Sequence, residues 1–242
     1  MLFGCGGGEN GASTGETPAA QQAQVPMPPG SATISGTVSF AGAAPERKQI
    51  RQDRECSALH EQPVLSEDVI VNENGTLRNA FVYVKEGLGD AKYPVPSAAV
   101  TFDQRGCMYT PHVFGVQVGQ SIKILNSDEL LHNIHALPEV NRPFNFGMPK
   151  AGDEREREFR AAEVMVKIKC DVHPWMGAWA GVLEHPFYAV TGDDGTFSMS
   201  NLPAGEYVVE VWHETYGTKT GTVTVDDAGA ATIDFSMGPD AA

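Results

Sequence analysis

Val164-Met-Val-Lys-Ile-Lys-Cys-Asp-Val-His-Pro-Trp-Met176 is the most informative segment of this chain. Alternation puts Val164, Val166, Ile168 and Cys170 on one face and Met165, Lys167 and Lys169 on the other, the period of a strand. Cys170 is therefore expected to point inward at the strand's end. Pro174 biases His173 away from helical backbone, so the chain leaves the strand as a loop. That loop can turn His173 and Met176 back towards the Cys170 sulfur.

Working outward, the folded part reads as all-β. Ile34, Gly36, Val38 and Phe40 alternate with Ser35, Thr37 and Ser39, and Ala80, Val82 and Val84 with Phe81 and Tyr83. Segments 113–118, 121–125, 179–183, 207–212, 221–225 and 232–235 follow the same style. Turn clusters at 72–75, 192–195 and 203–205 separate them. Segment 153–163 is rich in helix formers, but its sign alternation from Glu154 to Glu158 favours an exposed strand. The expectation is an antiparallel β-sandwich architecture. In 242 residues, 41% are hydrophobic and the net charge is −14, which argues against a nucleic-acid surface. No apolar run reaches the ~20 residues of a membrane-spanning helix.

A thiolate, an imidazole and a thioether are soft donors, and two His with one Cys and a weak axial Met form a copper-selective set. The second imidazole is sought in Asn126-Ser-Asp-Glu-Leu-Leu-His-Asn-Ile-His135, where His132 and His135 compete. Taken singly, each donor has a plainer reading: an inward Cys as a small hydrophobe, Met176 as core filling. Together the segments resemble the cupredoxins, on Asn126-Ser127-Asp128 leading into His132-Asn133 and on Cys170-x2-His173-x2-Met176. The stretch Tyr109–Gln120 is similar to the strand pair before that motif, so the likeness covers residues 98–186. It implies one type 1 copper held by His132, Cys170, His173 and Met176. It also implies that Asn133 pins the ligand loops from behind, with His135 beside it as a non-ligand. In such proteins the last His is an electron port within an apolar patch, here expected from Pro174, Trp175 and Pro138.

Residues 189–237 resemble the carboxypeptidase regulatory-like (transthyretin-like) sandwich, through Thr191-Gly-Asp-Asp-Gly-Thr-Phe197 and Leu202-Pro-Ala-Gly-Glu-Tyr207. Gly192 stands where that pattern prefers Asp. Its opening strands are similar to Ile34–Val38 and Asn79–Val84. The expected organisation is thus a discontinuous transthyretin-like sandwich (32–97 and 187–238) with the cupredoxin-like sandwich (98–186) inserted in it or packed with it; tandem domains are the alternative.

Leu2-Phe-Gly-Cys5 resembles a bacterial lipobox, which would make Cys5 a lipidation site and residues 6–31 a flexible tether. No charged or apolar leader precedes Cys5, so either the true start lies upstream or the signal is not there. A lipoprotein would be periplasmic or at the cell surface, where disulfides persist. Parity then pairs Cys56 with Cys107; the rival is a second metal site, since His60 and His112 lie near them. The functional expectation is one-electron transfer to a protein partner such as a cytochrome c, steered by negative charge, and not an enzyme. The alternatives are a copper-binding or copper-delivering lipoprotein and a metal-free scaffold or adhesion lipoprotein. His60, His112, His185 and His213 are expected to be structural or surface residues.

Overall fold

The computed structural model describes residue 1 and residues 30–241. Cys5 and nearly all of the expected tether lie outside the described residues. The chain begins with β1 (Ala32–Phe40), a single helical turn α1 (Arg54–Ser57) and β2 (Phe81–Glu86). It continues through β3 (Val100–Arg105), β4 (Met108–Thr110), β5 (Val113–Gln117), β6 (Ile122–Asn126) and β7 (His132–Leu137). Next come β8 (Phe144–Met148), β9 (Glu154–Arg157), β10 (Glu163–Lys169) and β11 (Gly177–Leu183). The last stretch holds β12 (Tyr188–Val190), β13 (Thr196–Leu202), β14 (Gly205–His213), β15 (Gly217–Val225), β16 (Ala230–Thr232) and β17 (Phe235–Met237). No helix among the described residues is long and apolar enough to cross a membrane.

These strands build four sheets. Two of them, β5-β11-β10-β7-β8 and β4-β3-β6-β9, draw only on the middle of the chain. The other two, β13-β1-β16 with β17 also on β1, and β12-β2-β14-β15, combine the early strands with the late ones. The all-β expectation is met, and 154–157 is a strand. Pairing is not purely antiparallel, however: β5–β11 and β3–β6 are parallel. Parallel neighbours need a long connection between them, which a hairpin reading of the sequence does not anticipate. The 232–235 segment splits into β16 and β17 around Ile233 and Asp234.

Each pair of sheets encloses its own core. Phe102, Tyr109, Val116, Ile124, Ile134, Val166 and Ile168 belong to the middle one, and Ile34, Val82, Phe197, Tyr207, Val209 and Val211 to the other. On β10 the expected inward face holds for Val166 and Ile168, and Cys170 just beyond the strand is buried too. It fails for Val164, which is exposed. The pairing with β11 slips between Glu163 and Val166, and such an irregularity reverses which side chains face the core.

A third apolar cluster joins the two sandwiches: Phe81, Tyr83, Val113 and Leu183, with Trp179, Tyr188 and Trp212 packed on it. Gly115 and Gly181 are register partners on β5 and β11. They form a floor for two aromatic rings, since an added Cβ would come within 2.0 Å of Tyr188 at Gly115 and 2.3 Å of Phe81 at Gly181. Those rings stack with centroids 5.6 Å apart. Beside them a polar clasp crosses the same interface. The Glu214 carboxylate bonds to His112 Nε2 and accepts from Trp179 Nε1 at 3.0 Å, while His112 Nδ1 faces the Gly177 carbonyl at 3.0 Å. Burial pushes the His112 pKa down, but the hydrogen bond and charge of Glu214, with Glu67, outweigh it and raise the group above its ordinary value.

Gly181→Ala is expected to overpack the floor and cost about 1–3 kcal/mol, measured by urea unfolding. Glu214→Gln is expected to cost about 1.5–3 kcal/mol near pH 6, where His112 is charged. A His whose pKa is raised on folding contributes most below its unfolded value of about 6.5, and that contribution fades as pH climbs through the folded value. The gap between wild type and Glu214→Gln therefore narrows towards pH 9, as read from unfolding curves across that range.

Candidate metal centre

The centre is assembled by two short loops at one end of the middle sandwich. The first leaves β6 at Asn126, a buried side chain whose Nδ2 donates to the Leu130 and Met148 carbonyls, both at 2.9 Å. Its Oδ1 accepts from the Asp128 backbone at 2.9 Å, an Asx turn that fixes the path into β7. His132 thereby starts β7 with its ring inward, on the same face as Ile134 and Ala136. The second loop joins β10 to β11. It is closed by Cys170 N donating to Met176 O (3.3 Å) and Met176 N donating to His173 O (3.0 Å). Within it the His173 backbone N–H points at Cys170 Sγ, 3.4 Å away.

The two loops bring three donors together. His132 Nδ1 lies 3.0 Å from His173 Nδ1, and Cys170 Sγ lies 4.0 Å from His173 Nδ1. The donor atoms of all three residues fall within 4.8 Å of one another, and all three residues are buried. Cys170 is the one unpaired cysteine among the described residues. Met176, 1% exposed, is in the same core cluster as Cys170. The far edges of the rings face carboxylates. His132 Nε2 is 2.8 Å from Asp128 Oδ2, and His173 Nε2 is 3.7 Å from Asp53 Oδ2.

The electrostatics follow from that layout. Burial raises the Cys170 pKa, but His132 and surrounding backbone N–H groups outweigh it, and the net direction is downward, towards thiolate. Burial and the neighbouring His132 hold His173 below its ordinary value. Asp128 accepts from His132 Nε2 at 2.8 Å, which leaves the His132 Nδ1 lone pair facing inward, whereas Asp53, 3.7 Å from His173 Nε2, acts on that ring through charge alone. Two ring nitrogens facing each other at 3.0 Å, with a sulfur leaning to thiolate beside them, can share a proton or hold a cation. The donor set fits a soft, thiophilic metal.

His132, not His135, faces the cluster. His135 is on the opposite face of β7 and pairs with Asp171, Nδ1 to Oδ2 at 2.9 Å. Asn133 bonds across the two loops: its Oδ1 accepts from Asp171 N at 3.0 Å, and its Nδ2 donates to Asn145 and to the Phe146 carbonyl. Cys56 and Cys107 form a disulfide. Its sulfurs and a His173 ring nitrogen also lie within 4.8 Å of one another.

The expected electron port differs from the structure. The His173 ring is only 6% exposed, with Asp53 and the disulfide over it and Trp175 at 5.2 Å between ring centroids. Pro174 is exposed, but Trp175 is half-buried and donates to the Cys107 carbonyl at 3.0 Å. Pro138 follows the opposite end of β7 from His132, so an extended strand separates it from the centre. Two contributors were not singled out from the sequence. Asp128 had a signal, its spacing four residues before His132. Asp53 had none, because it reaches the centre from a distant part of the chain.

Comparison with known proteins finds partial similarities. Residues 182–238 match the family model of the carboxypeptidase regulatory-like domain. No curated protein matches the chain. Solved structures similar to it include a copper-containing nitrite reductase from Thermus scotoductus SA-01, at 24% identity over 40% of this chain and 25% of that one, TM-score 0.32. A purple cupredoxin from Nitrosopumilus maritimus shares 22% identity over 34% of this chain and 98% of its own, TM-score 0.29. A Cu(I) amicyanin variant shares 19% identity over 42% of this chain and 97% of its own, TM-score 0.32.

Asn133→Ala removes the tie between the loops while leaving every donor in place. Its affinity for a thiophilic probe ion such as Co(II) is expected to fall roughly 10–100-fold, as measured by competition with a chromophoric chelator.

Proposed function

We propose that this chain is a type 1 copper electron-transfer protein in which His132, Cys170 and His173 would hold one copper ion, with Met176 as a fourth, weaker donor. The observation that carries this reading is the pair of imidazole Nδ1 atoms 3.0 Å apart, both backed by carboxylates and set beside a buried thiol. Copper supplies a one-electron couple when bound. The chain's own residues do the rest. The closed 170–176 loop and the start of β7 hold the donors in a fixed arrangement, so changing charge at the centre demands little movement. Asp128 keeps a proton on His132 Nε2 and so commits Nδ1 to the metal. Four protein donors leave no position for a substrate, which supports electron transfer over catalysis.

The Cys56–Cys107 disulfide supports an oxidising, extracytoplasmic location. With lipidation at Cys5 the domain would be tethered to a membrane in the periplasm or at the cell surface. The net charge of −14 suits a basic redox partner of the cytochrome c kind, with association that weakens as salt rises. The run of strands supports insertion of the copper sandwich, residues 98–186, into the carboxypeptidase regulatory-like one. Copper delivery is the less favoured reading, because the cover over His173 leaves no open route for handing an ion on.

Copper-loaded protein is expected to show an intense visible thiolate-to-copper band that disappears in Cys170→Ser. A colourless protein with only tetragonal copper signals in paramagnetic resonance would overturn the reading.

A further inference from the structure

Asp53 and Cys56 come from the long connection between β1 and β2, whose flanking strands belong to the other sandwich. That connection nevertheless ends up on the metal centre. Asp53 is the N-cap of α1: its Oδ1 accepts from Cys56 N at 2.8 Å, while its Oδ2 is turned to His173 Nε2. The other half of the disulfide has the same construction. Asp128 accepts from Cys107 N at 2.8 Å with Oδ2, the oxygen that also meets His132 Nε2. Each disulfide cysteine thus has its backbone N–H on a carboxylate, and each carboxylate faces the outer edge of one imidazole. A bond from His60 Nε2 to Gly106 O, 2.7 Å, further pins the segment to the Cys107 turn.

We infer that Asp53 is a positioning residue for His173, and that the Cys56–Cys107 disulfide is the brace that holds it there. The inference rests on the copper reading above and extends it to the other sandwich. The Asp53 carboxylate, 3.7 Å from His173 Nε2, attracts an Nε2–H by charge and so favours the ring orientation in which Nδ1 faces His132 and Cys170. Its charge favours the more highly charged Cu(II) over Cu(I). The disulfide makes this arrangement persistent, because the 53–56 turn has only one turn of helix of its own to hold it in place.

Three proteins test this: wild type, Asp53→Asn and the double variant Cys56→Ser with Cys107→Ser. Asn remains a good N-cap, so Asp53→Asn removes the charge and leaves the turn intact. The ratio of Cu(I) to Cu(II) affinity, read from the reduction potential, is expected to rise about threefold in Asp53→Asn, and the difference shrinks at high salt. A role confined to capping would leave the potential unmoved. In metal-free protein, carbethoxylation of His173 by diethyl pyrocarbonate, located by peptide mass mapping, is expected to be about tenfold faster in the double variant. An unchanged potential in Asp53→Asn, or equal protection of His173 with and without the disulfide, overturns the inference even when wild type shows the thiolate-to-copper band. Absence of that band in wild type instead brings down the copper reading itself.

Discussion

Two imidazole nitrogens are held face to face at 3.0 Å, out of water, next to a sulfur. Buried polar atoms this close need a proton or a cation to share. The rest of the middle sandwich can be understood as the means of imposing it. The Asx turn at Asn126 sets the ring of His132 inward, the backbone bonds between Cys170, His173 and Met176 curl the second loop, and Asn133 stitches one loop to the other. Asp128 behind His132 then holds a proton on that ring's outer nitrogen. The placement of the donor atoms is thereby set largely by hydrogen bonds that other groups make.

Much of this was legible in the residues themselves. The period-two pattern before Cys170 and the Pro after His173 identify a strand that ends in a loop, because side-chain alternation and proline sterics are local effects. With Cys5 and Cys170 given other roles, parity favours pairing Cys56 with Cys107 over a second metal site, and the two do form a disulfide. Which of His132 and His135 faces Cys170 was not legible, since both sit within the same short run; it depends on which face of β7 is turned to the core, and that face carries His132. Val164 misled for a related reason: a slip in pairing is invisible to a rule that counts residues in twos. Asp53 lies beyond any local rule, being brought in by the crossing of a covalent bond.

The interface between the sandwiches shows a different economy. Gly115 and Gly181 contribute nothing but room, and the rings of Tyr188 and Phe81 use it to lie against bare backbone. The His112–Glu214–Trp179 clasp supplies directional bonds next to that flat contact. Shape and polarity together leave the two sandwiches little freedom to slide, which suits a centre whose parts come from both.

The bond between Cys56 and Cys107 spans 51 residues and joins stretches that a reading by sequence would assign to separate modules. Excising the middle sandwich as a stand-alone piece would therefore leave behind the acid over His173 and strand Cys107 as an orphan thiol close to a soft-metal pocket. The unit of chemistry here is larger than the unit of architecture, and any transplant of this centre into another scaffold has to carry the distant turn along with it.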